Sequence, residues 1–328
     1  MTIKSSGSSL AFSEIEAEFG ANGSRSLGSY RTTQNVGQLS NLPLDSGIPT
    51  SGQIKFSDFY SKKLNVVVDM HSGGDEFRKS AKSDKWNNNN VTVIGGFRSK
   101  KESGSKIIIH INKKFGSDKN GVNNCAVKTG SWSAASVQVD IGGSGKVLGA
   151  GGDGGQGGEC LNNGQNGQSG SSGLGVEHNG ITVNVLSGGI IRAGFGGGGG
   201  GGGGQQVDKG SDRRASGGGG GGGAGFPAGN GASAVGGCGG SQPGGGANGS
   251  ETTAGGGGGG GDNDSQAGGG SGGEGGSFGE AANNGGSSQR SGGSGGGDGA
   301  AIRRTSGFSV TINNSGTIQG STSATGVG

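Results

Sequence analysis

The chain has 328 residues, of which 90 are Gly, 4 Pro and 3 Cys, with 26% hydrophobic residues and a formal net charge of +3. Collagen is excluded, because Gly does not recur strictly every third residue and Pro is scarce. Cys125, Cys160 and Cys238 lie too far apart to read as a disulfide framework or a zinc site, and no apolar run reaches the roughly 18 residues of a membrane span.

The start, MTIKSSGSSLAF, lacks a charged segment followed by a long apolar run, so no secretory signal is read. The expectation is synthesis in a cytoplasm, with release by a route such as lysis if the protein works outside. Seventy glycines fall between Gly142 and Gly299. Such composition defaults to disorder. An ordered form must offset about 1–2 kcal/mol of backbone entropy per residue, and glycine loses most. Charge is uneven: residues 62–130 carry 14 Lys/Arg against 6 Asp/Glu, whereas residues 131–328 carry 8 against 12. A basic middle suits phosphate or anionic sugar. The plainer reading is the solvated face of a small β domain.

In chain order, residues 1–63 read as a separate N-terminal module. Ser13-Glu14-Ile15-Glu16 has capping-box spacing with Phe12 as a staple, which predicts a helix from Glu14 to Phe19 stopped by Gly20. A second short element, IKFSDFY (Ile54–Tyr60), closes the module. Its aromatics are dense, but so short a unit buries little alone and is expected to dock on something larger. Residues 64–135 read as an antiparallel β domain from the alternating runs LNVVVDM, VTVIGGF and SKIIIHI, with SVQVDI following. His110 is expected on the exposed side of an edge or half-buried strand, and Trp86 and Trp132 as core or interface anchors.

Residues 136–328 form the third unit and contain a repeat. Segments 137–149, 181–194 and 308–320 align without gaps on Val137/Val139/Ile141/Gly145/Val147, Ile181/Val183/Val185/Gly189/Ile191 and Phe308/Val310/Ile312/Gly316/Ile318. Period-two apolar positions predict strands with one buried face, and the small-residue centre predicts a tight reversal. The repeats bracket the glycine blocks, and a linker would not be expected to end in a copy of the strand that preceded it. The ordered alternative is polyglycine II: extended helices of three residues per turn, rising about 3.1 Å per residue, whose N–H and C=O groups bond to neighbouring helices. The polar inserts Gln205–Ser216, Gly249–Ala254, Asp262–Ala267 and Ala281–Arg290 then become loops at the ends of the rods.

Catalytic and metal motifs fail on inspection. GGSGKVLG places Asp140 and Val147 where a phosphate loop needs Gly and Ser/Thr. Asp262-Asn263-Asp264-Ser265 lacks the later Gly and Glu of a calcium loop. His71, His110 and His178 share no ligand spacing, and no serine sits in a nucleophile elbow. No enzyme, cofactor or metal is expected.

SVQVDIGGSGKVLGAGGDGGQGG followed by GGIIRAGFGGGGGGGGG resembles the glycine-rich distal tail-fibre adhesins of T-even-like phages. That resemblance covers about residues 136–320 and implies a sandwich of polyglycine II helices. Its tip loops would meet host outer-membrane proteins or surface glycans, and an N-terminal part would join the fibre. SLAFSEIEAEFG with IKFSDFYSKK resembles N-terminal modules of virion structural proteins of marine cyanophages and implies virion attachment.

The fold class expected is mostly β plus irregular: an attachment module, an antiparallel β domain and a polyglycine II sandwich flanked by repeated strands. Candidate receptor contacts are Lys209, Arg213, Arg214 and Phe226; candidate attachment residues are Phe12, Ile15, Phe19, Phe56, Phe59 and Tyr60. Partners are other virion proteins and a host-surface protein or glycan, with no nucleic acid and no membrane insertion. The glycine region holds only Phe195, Phe226 and Phe278 as aromatics, and aromatics dominate binding hot spots. A structural neck, collar or head role without a receptor is therefore the competing reading.

Overall fold

The computed structural model describes residues 3–20, 26–31, 33–36, 39–70, 76–77, 79–80, 91–94, 106–117, 121–132, 136–208, 211–236, 238, 241–263 and 267–328. His71, Trp86 and Lys209 lie outside these residues. The protein is mostly β; among the described residues there is one short α-helix, α1 (Phe12–Phe19).

The N-terminal segment folds around aromatic rings. α1 starts two residues earlier than the sequence signal, at N-cap Ala11. Glu14 rather than Glu16 closes the first turn, its carboxylate accepting the Ala11 N–H at 2.8 Å. Ile15, Phe19, Tyr30 and Phe59 are fully buried. The Tyr30 ring centroid lies 6.3 Å from that of Phe19 and 5.7 Å from that of Phe59. Burial pushes the Tyr30 phenol up to about 12, with the Glu16 charge adding to it, so its hydroxyl stays protonated and donates to the Gly20 carbonyl at 2.7 Å. A small antiparallel pair, β1 (Thr33–Val36) and β2 (Leu39–Pro43), sits between the helical turns. The segment then joins the next unit: Leu64 N–H donates to the buried Glu18 carboxylate at 2.9 Å, and Asn65 N–H to Leu44 O at 2.8 Å.

From Asn65 on, the chain winds into coils, each adding one strand to each of three sheets. The first coil holds β3 (Asn65–Met70), β4 (Glu76–Phe77) and β5 (Lys79–Ser80), with β6 (Val91–Ile94) on the outer edge of β3. The second holds β7 (Lys106–Ile111), β8 (Lys114–Gly116) and β9 (Cys125–Lys128); the third holds β10 (Ser136–Ile141), β11 (Lys146–Leu148) and β12 (Ser172–Val176). The fourth holds β13 (Ile181–Val185) and β14 (Ile190–Arg192). After an insertion carrying the hairpins β15 (Gly204–Asp208)–β16 (Ser211–Ala215) and β17 (Asp262–Asn263)–β18 (Ala267–Gly268), it closes with β19 (Ile302–Arg304). β20 (Val310–Asn314), β21 (Thr317–Gln319) and β22 (Ala324–Thr325) form the last coil.

This corrects the expected antiparallel β domain. Of the described pairings in the three sheets, only β3–β6 is antiparallel; the others are parallel. The small-residue centre of the repeat is a corner that passes the chain to the next sheet, not a reversal. Its glycine is needed because corners stack: a Cβ on Gly145, Gly189 or Gly316 would lie 2.2, 2.7 or 2.4 Å from a carbonyl oxygen of the coil below. Columns of apolar side chains fill the centre, such as Val68/Ile109/Val139/Val183 and Phe115/Val147/Ile191, all fully buried. Each such side chain contributes roughly 1.5–3 kcal/mol. β7 is a central strand and His110 is fully buried, not on an exposed face. Trp132 is a core anchor whose indole donates to Thr129 O at 2.7 Å. The sheets run across the expected boundary between residues 135 and 136, because β10 pairs with β7 along its whole length.

The glycine-rich segments are insertions between the second and third strands of the third and fourth coils. Segment 194–203 lies at their centre. Its N–H groups donate to segments 162–171, 218–224 and 283–286, and Gly196 N–H reaches the Asp298 carboxylate. Its carbonyls accept from segments 152–158, 270–276 and 290–299. Every backbone donor and acceptor from Gly194 to Gly203 is thereby bonded. Partners repeat every third residue: Gly197, Gly200 and Gly203 donate to Gln168, Gln165 and Asn162. Segment 217–224 is likewise surrounded, donating to segments 152–158, 270–276 and 244–250 and accepting from 195–201, 229–232 and 255–261.

A side chain at an inward position has no room. A Cβ on Gly200 would stand 1.9 Å from Gln156 O, whereas one on Gly259 meets nothing within 4 Å. Gly200→Val is therefore expected to cost more than about 4 kcal/mol or abolish folding. Gly259→Ala is expected to be neutral or to stabilise by up to about 1 kcal/mol through the unfolded chain. Thermal unfolding of both variants checks the contrast; equal effects would contradict the packing.

Candidate functional site

The glycine segments run back and forth, so their connections collect at two ends. At the end away from the coils lie the turn 159–162, hairpin β15–β16, hairpin β17–β18 and the turn 287–290. Gln205 N–H donates to Gln289 Oε1 at 3.0 Å, the Ser288 hydroxyl to Gly268 O at 2.5 Å, and Arg290 N–H to Gly203 O at 3.0 Å. Arg213 and Arg214 are half-buried and sit on adjacent positions of β16, opposite Gln206 and Gln205. Successive strand residues face opposite ways, so the pair puts one guanidinium on each face of the hairpin.

Two of the expected loop positions lie at the other end, against the coils. Phe226 is one. Its N–H donates to Gly149 O at 2.8 Å, its carbonyl accepts from Ser117 N–H at 3.2 Å, and Lys114 Nζ lies 3.7 Å from its ring centroid. Phe226 is thus separated from Arg213 and Arg214 by the full length of segment 217–223. Loop 249–254 is the other. Glu251 is shared by three cations of successive coils: Lys114 at 3.5 Å, Lys146 at 3.8 Å and Arg192 at 3.9 Å. Arg192 also donates to the Glu251 carbonyl at 2.9 Å and to Gln319 Oε1 at 2.5 Å. Burial lowers the Arg192 pKa and the Glu251 charge opposes that. The insert is therefore an anchor, and nothing in its local sequence distinguishes it from a displayed loop. The insert Ala281–Arg290 spans both ends, since Asn283 and Gly286 pair along the rods with Glu274 and Ser271.

Cysteine use departs from expectation. Cys160 and Cys238, 78 residues apart, form a disulfide with Cα atoms 5.7 Å apart. It ties the 159–162 turn to the chain at Cys238, between Ala232 and Gly244. In the chain-entropy picture a loop of this length is worth about 4.5 kcal/mol. Glu159 lies in the same cluster, but the two sulfurs are spent on each other. Ser216, directly after β16, is 1% exposed; its hydroxyl accepts from Cys160 N–H at 3.3 Å, donates to Gly236 O at 2.8 Å and lies 3.2 Å from Cys238 Sγ. Beside it a shallow cleft is lined by Gln156, Glu159, Asn162, Asn163, Gln165 and Val235.

Among the expected attachment residues, Ile15, Phe19 and Phe59 are fully buried and serve the core. Phe12 and Tyr60 are half-buried, and Phe56 is 40% exposed, with the Phe12 and Phe56 rings 6.1 Å apart. Phe12 and Phe56 thus form an aromatic pair on the surface of the N-terminal segment, while the Tyr60 hydroxyl donates to Ser8 O at 2.5 Å.

The family model for the phage tail fibre adhesin Gp38 matches residues 76–323. The chain belongs to this family of tail-fibre adhesins. Of the two virion roles weighed from sequence, the adhesin stands and the neck or collar reading falls. The adhesin is a component of the virion. It is similar to a chain of the crystal structure of the gp37-gp38 adhesin tip complex of the bacteriophage S16 long tail fiber, at 19% identity and a TM-score of 0.37, over 94% of this chain and 96% of that one. No curated protein matches it. Residues 1–75 lie outside the family match.

The Glu251 cluster gives a direct test of how the adhesin is held together. Glu251→Gln is expected to lower stability by about 1 kcal/mol, because it leaves the largely buried Arg192 without its counter-charge. The difference from wild type should shrink in high salt. Denaturant unfolding at low and high ionic strength reads both effects; a salt-independent or absent difference would contradict the anchoring role.

Proposed function

We propose that this adhesin binds the host cell surface through the end of its glycine bundle that points away from the coils. The segments are polyglycine II helices, as supported by the three-residue repeat of their hydrogen-bond partners. The observation that carries the reading is the junction of segment 194–203 with hairpin β15–β16: the most completely bonded rod ends in the hairpin that bears Arg213 and Arg214. A loop seated on such a rod meets its receptor with little ordering cost.

Arg213 and Arg214, with Lys209 in the same insert, are the proposed contacts for a host outer-membrane protein or surface glycan. Guanidinium groups suit carboxylate or phosphate partners. Phe226 is assigned to the junction with the coils instead. At the opposite end, the N-terminal segment joins another virion protein through Phe12, Phe56 and Tyr60. The protein assembles in the host cytoplasm and leaves by lysis. It acts by binding, without catalysis, nucleic acid or membrane insertion. Among the described residues no helix is long and apolar enough to cross a membrane.

Purified adhesin should block phage adsorption to host cells in proportion to its occupancy of the receptor. The Arg213→Ala/Arg214→Ala variant should need roughly tenfold more protein for the same block, the scale of a lost hot spot. Equal potency of variant and wild type would remove the hairpin from the contact surface.

A further inference from the structure

The Cys160–Cys238 bond lies at the base of the hairpin that the proposed function depends on. Ala232 N–H donates to Gly220 O, Ser233 and Ala234 run beside Gly245, and Gly244 N–H donates to Gly259 O. The described residues between Ala232 and Gly244 are tied in three places. Gly236 O accepts from the Ser216 hydroxyl, Cys238 is bonded to Cys160, and Ser241 pairs with Asp262. On the other side, Cys160 sits in the turn closed by Asn162 N–H to Glu159 O at 2.9 Å, next to the Gly203 N–H bond to Asn162 O at 3.0 Å. Ser216 stands between the two sulfurs and the hairpin: Ala215, just before it, pairs with Gly204 across the hairpin base. The base of β15–β16 is thus held by a node of Cys160, Cys238 and Ser216.

We propose that this node is a redox latch that sets the hairpin only after the adhesin leaves the cell. Inside a reducing cytoplasm the two cysteines are thiols. Outside, a low-molecular-weight disulfide, RSSR, accepts the electrons. One thiolate attacks RSSR and releases RSH, and the second cysteine then displaces the remaining RS group as another RSH. Two thiols and one RSSR become the Cys160–Cys238 bond and two RSH. Both cysteines are half-buried at the exposed end of the bundle, so the exchange has access. Cys125 is fully buried inside β9 and takes no part. Reduction frees Cys238 from Cys160 and takes from Ser216 the contact that fixes the hairpin base. The latch bears on host contact only through the hairpin reading above.

The test uses full-length protein trapped with N-ethylmaleimide at cell lysis, or after exposure to oxidised glutathione. Mass spectrometry should find Cys160 and Cys238 alkylated at lysis and joined after oxidation. Hydrogen exchange should then show amides of 204–216 exchanging at least about tenfold faster in the reduced protein and in Cys238→Ser, with Ile107–Ile111 unchanged as the folding control. A bond already complete at lysis, or equal hairpin exchange in both states, would overturn the latch. Adsorption blocking by oxidised and reduced protein is read separately. If exchange changes while blocking does not, the latch stands and the hairpin is not the contact surface.

Discussion

A backbone amide or carbonyl withdrawn from water has to find a partner, and in this protein that requirement replaces the hydrophobic core over more than a hundred residues. Segment 194–203 meets it fully, with every donor and acceptor bonded to one of six surrounding segments. Such spacing leaves no volume for a Cβ: at Gly196, Gly199, Gly200 and Gly201 it would lie 1.9–2.0 Å from a neighbouring carbonyl oxygen. Glycine is thus required by contact, and its large entropic cost is offset by a dense set of bonds that no side chain could be allowed to interrupt.

Because partners repeat every third residue, each triplet position is one face of a rod. GGD-GGQ-GGE at 151–159 leaves one face open, and its Asp153, Gln156 and Glu159 stand on that face. NGQNGQSGS at 163–171 presses its glycine face, Gly164/Gly167/Gly170, against segment 194–200, while the N–H groups of these glycines donate to segment 291–297, whose own N–H groups return to Asn163, Asn166 and Ser169 at 3.2, 2.8 and 3.3 Å. The runs 196–203 and 217–223 are the surrounded rods, whereas the run 255–261 keeps Gly256 and Gly259 on an open face. The described apolar cluster of the bundle is the small group Ala193, Phe195 and Ala224 at its near end, so the coiled sheets place it. Ala150, Gly194 and Ala301 continue directly from or into strands, and Glu251 and Phe226 lock the near end onto the second to fourth coils.

Much of this was legible in the residues. The β-rich class, the adhesin family resemblance and the repeat 137–149/181–194 follow from alternation and glycine placement, and that pair has the same register in the sheets. The third copy was misplaced by two residues in its first strand: Ile312 pairs with Val183, not Val185. Its corner has two residues where the others aligned have four, and a shift of two preserves the inward face, so periodicity could not detect it. The same period hid Ile107/Ile109/Ile111 as an earlier coil. Parallel and antiparallel pairing share one alternation, and only the stacking of successive corners separates them. The Cys160–Cys238 bond and the Glu251 cluster join residues far apart in sequence, and local pattern carries no trace of either.

The central claim is that the glycines are the scaffold. Hydrogen exchange on residues 196–203 tests it most directly, read against the exposed loop 252–254. The account predicts that these amides are protected like those of the central strands, exchanging only when the bundle opens. Exchange at the rate of an unstructured glycine chain would contradict it and return the segment to a linker.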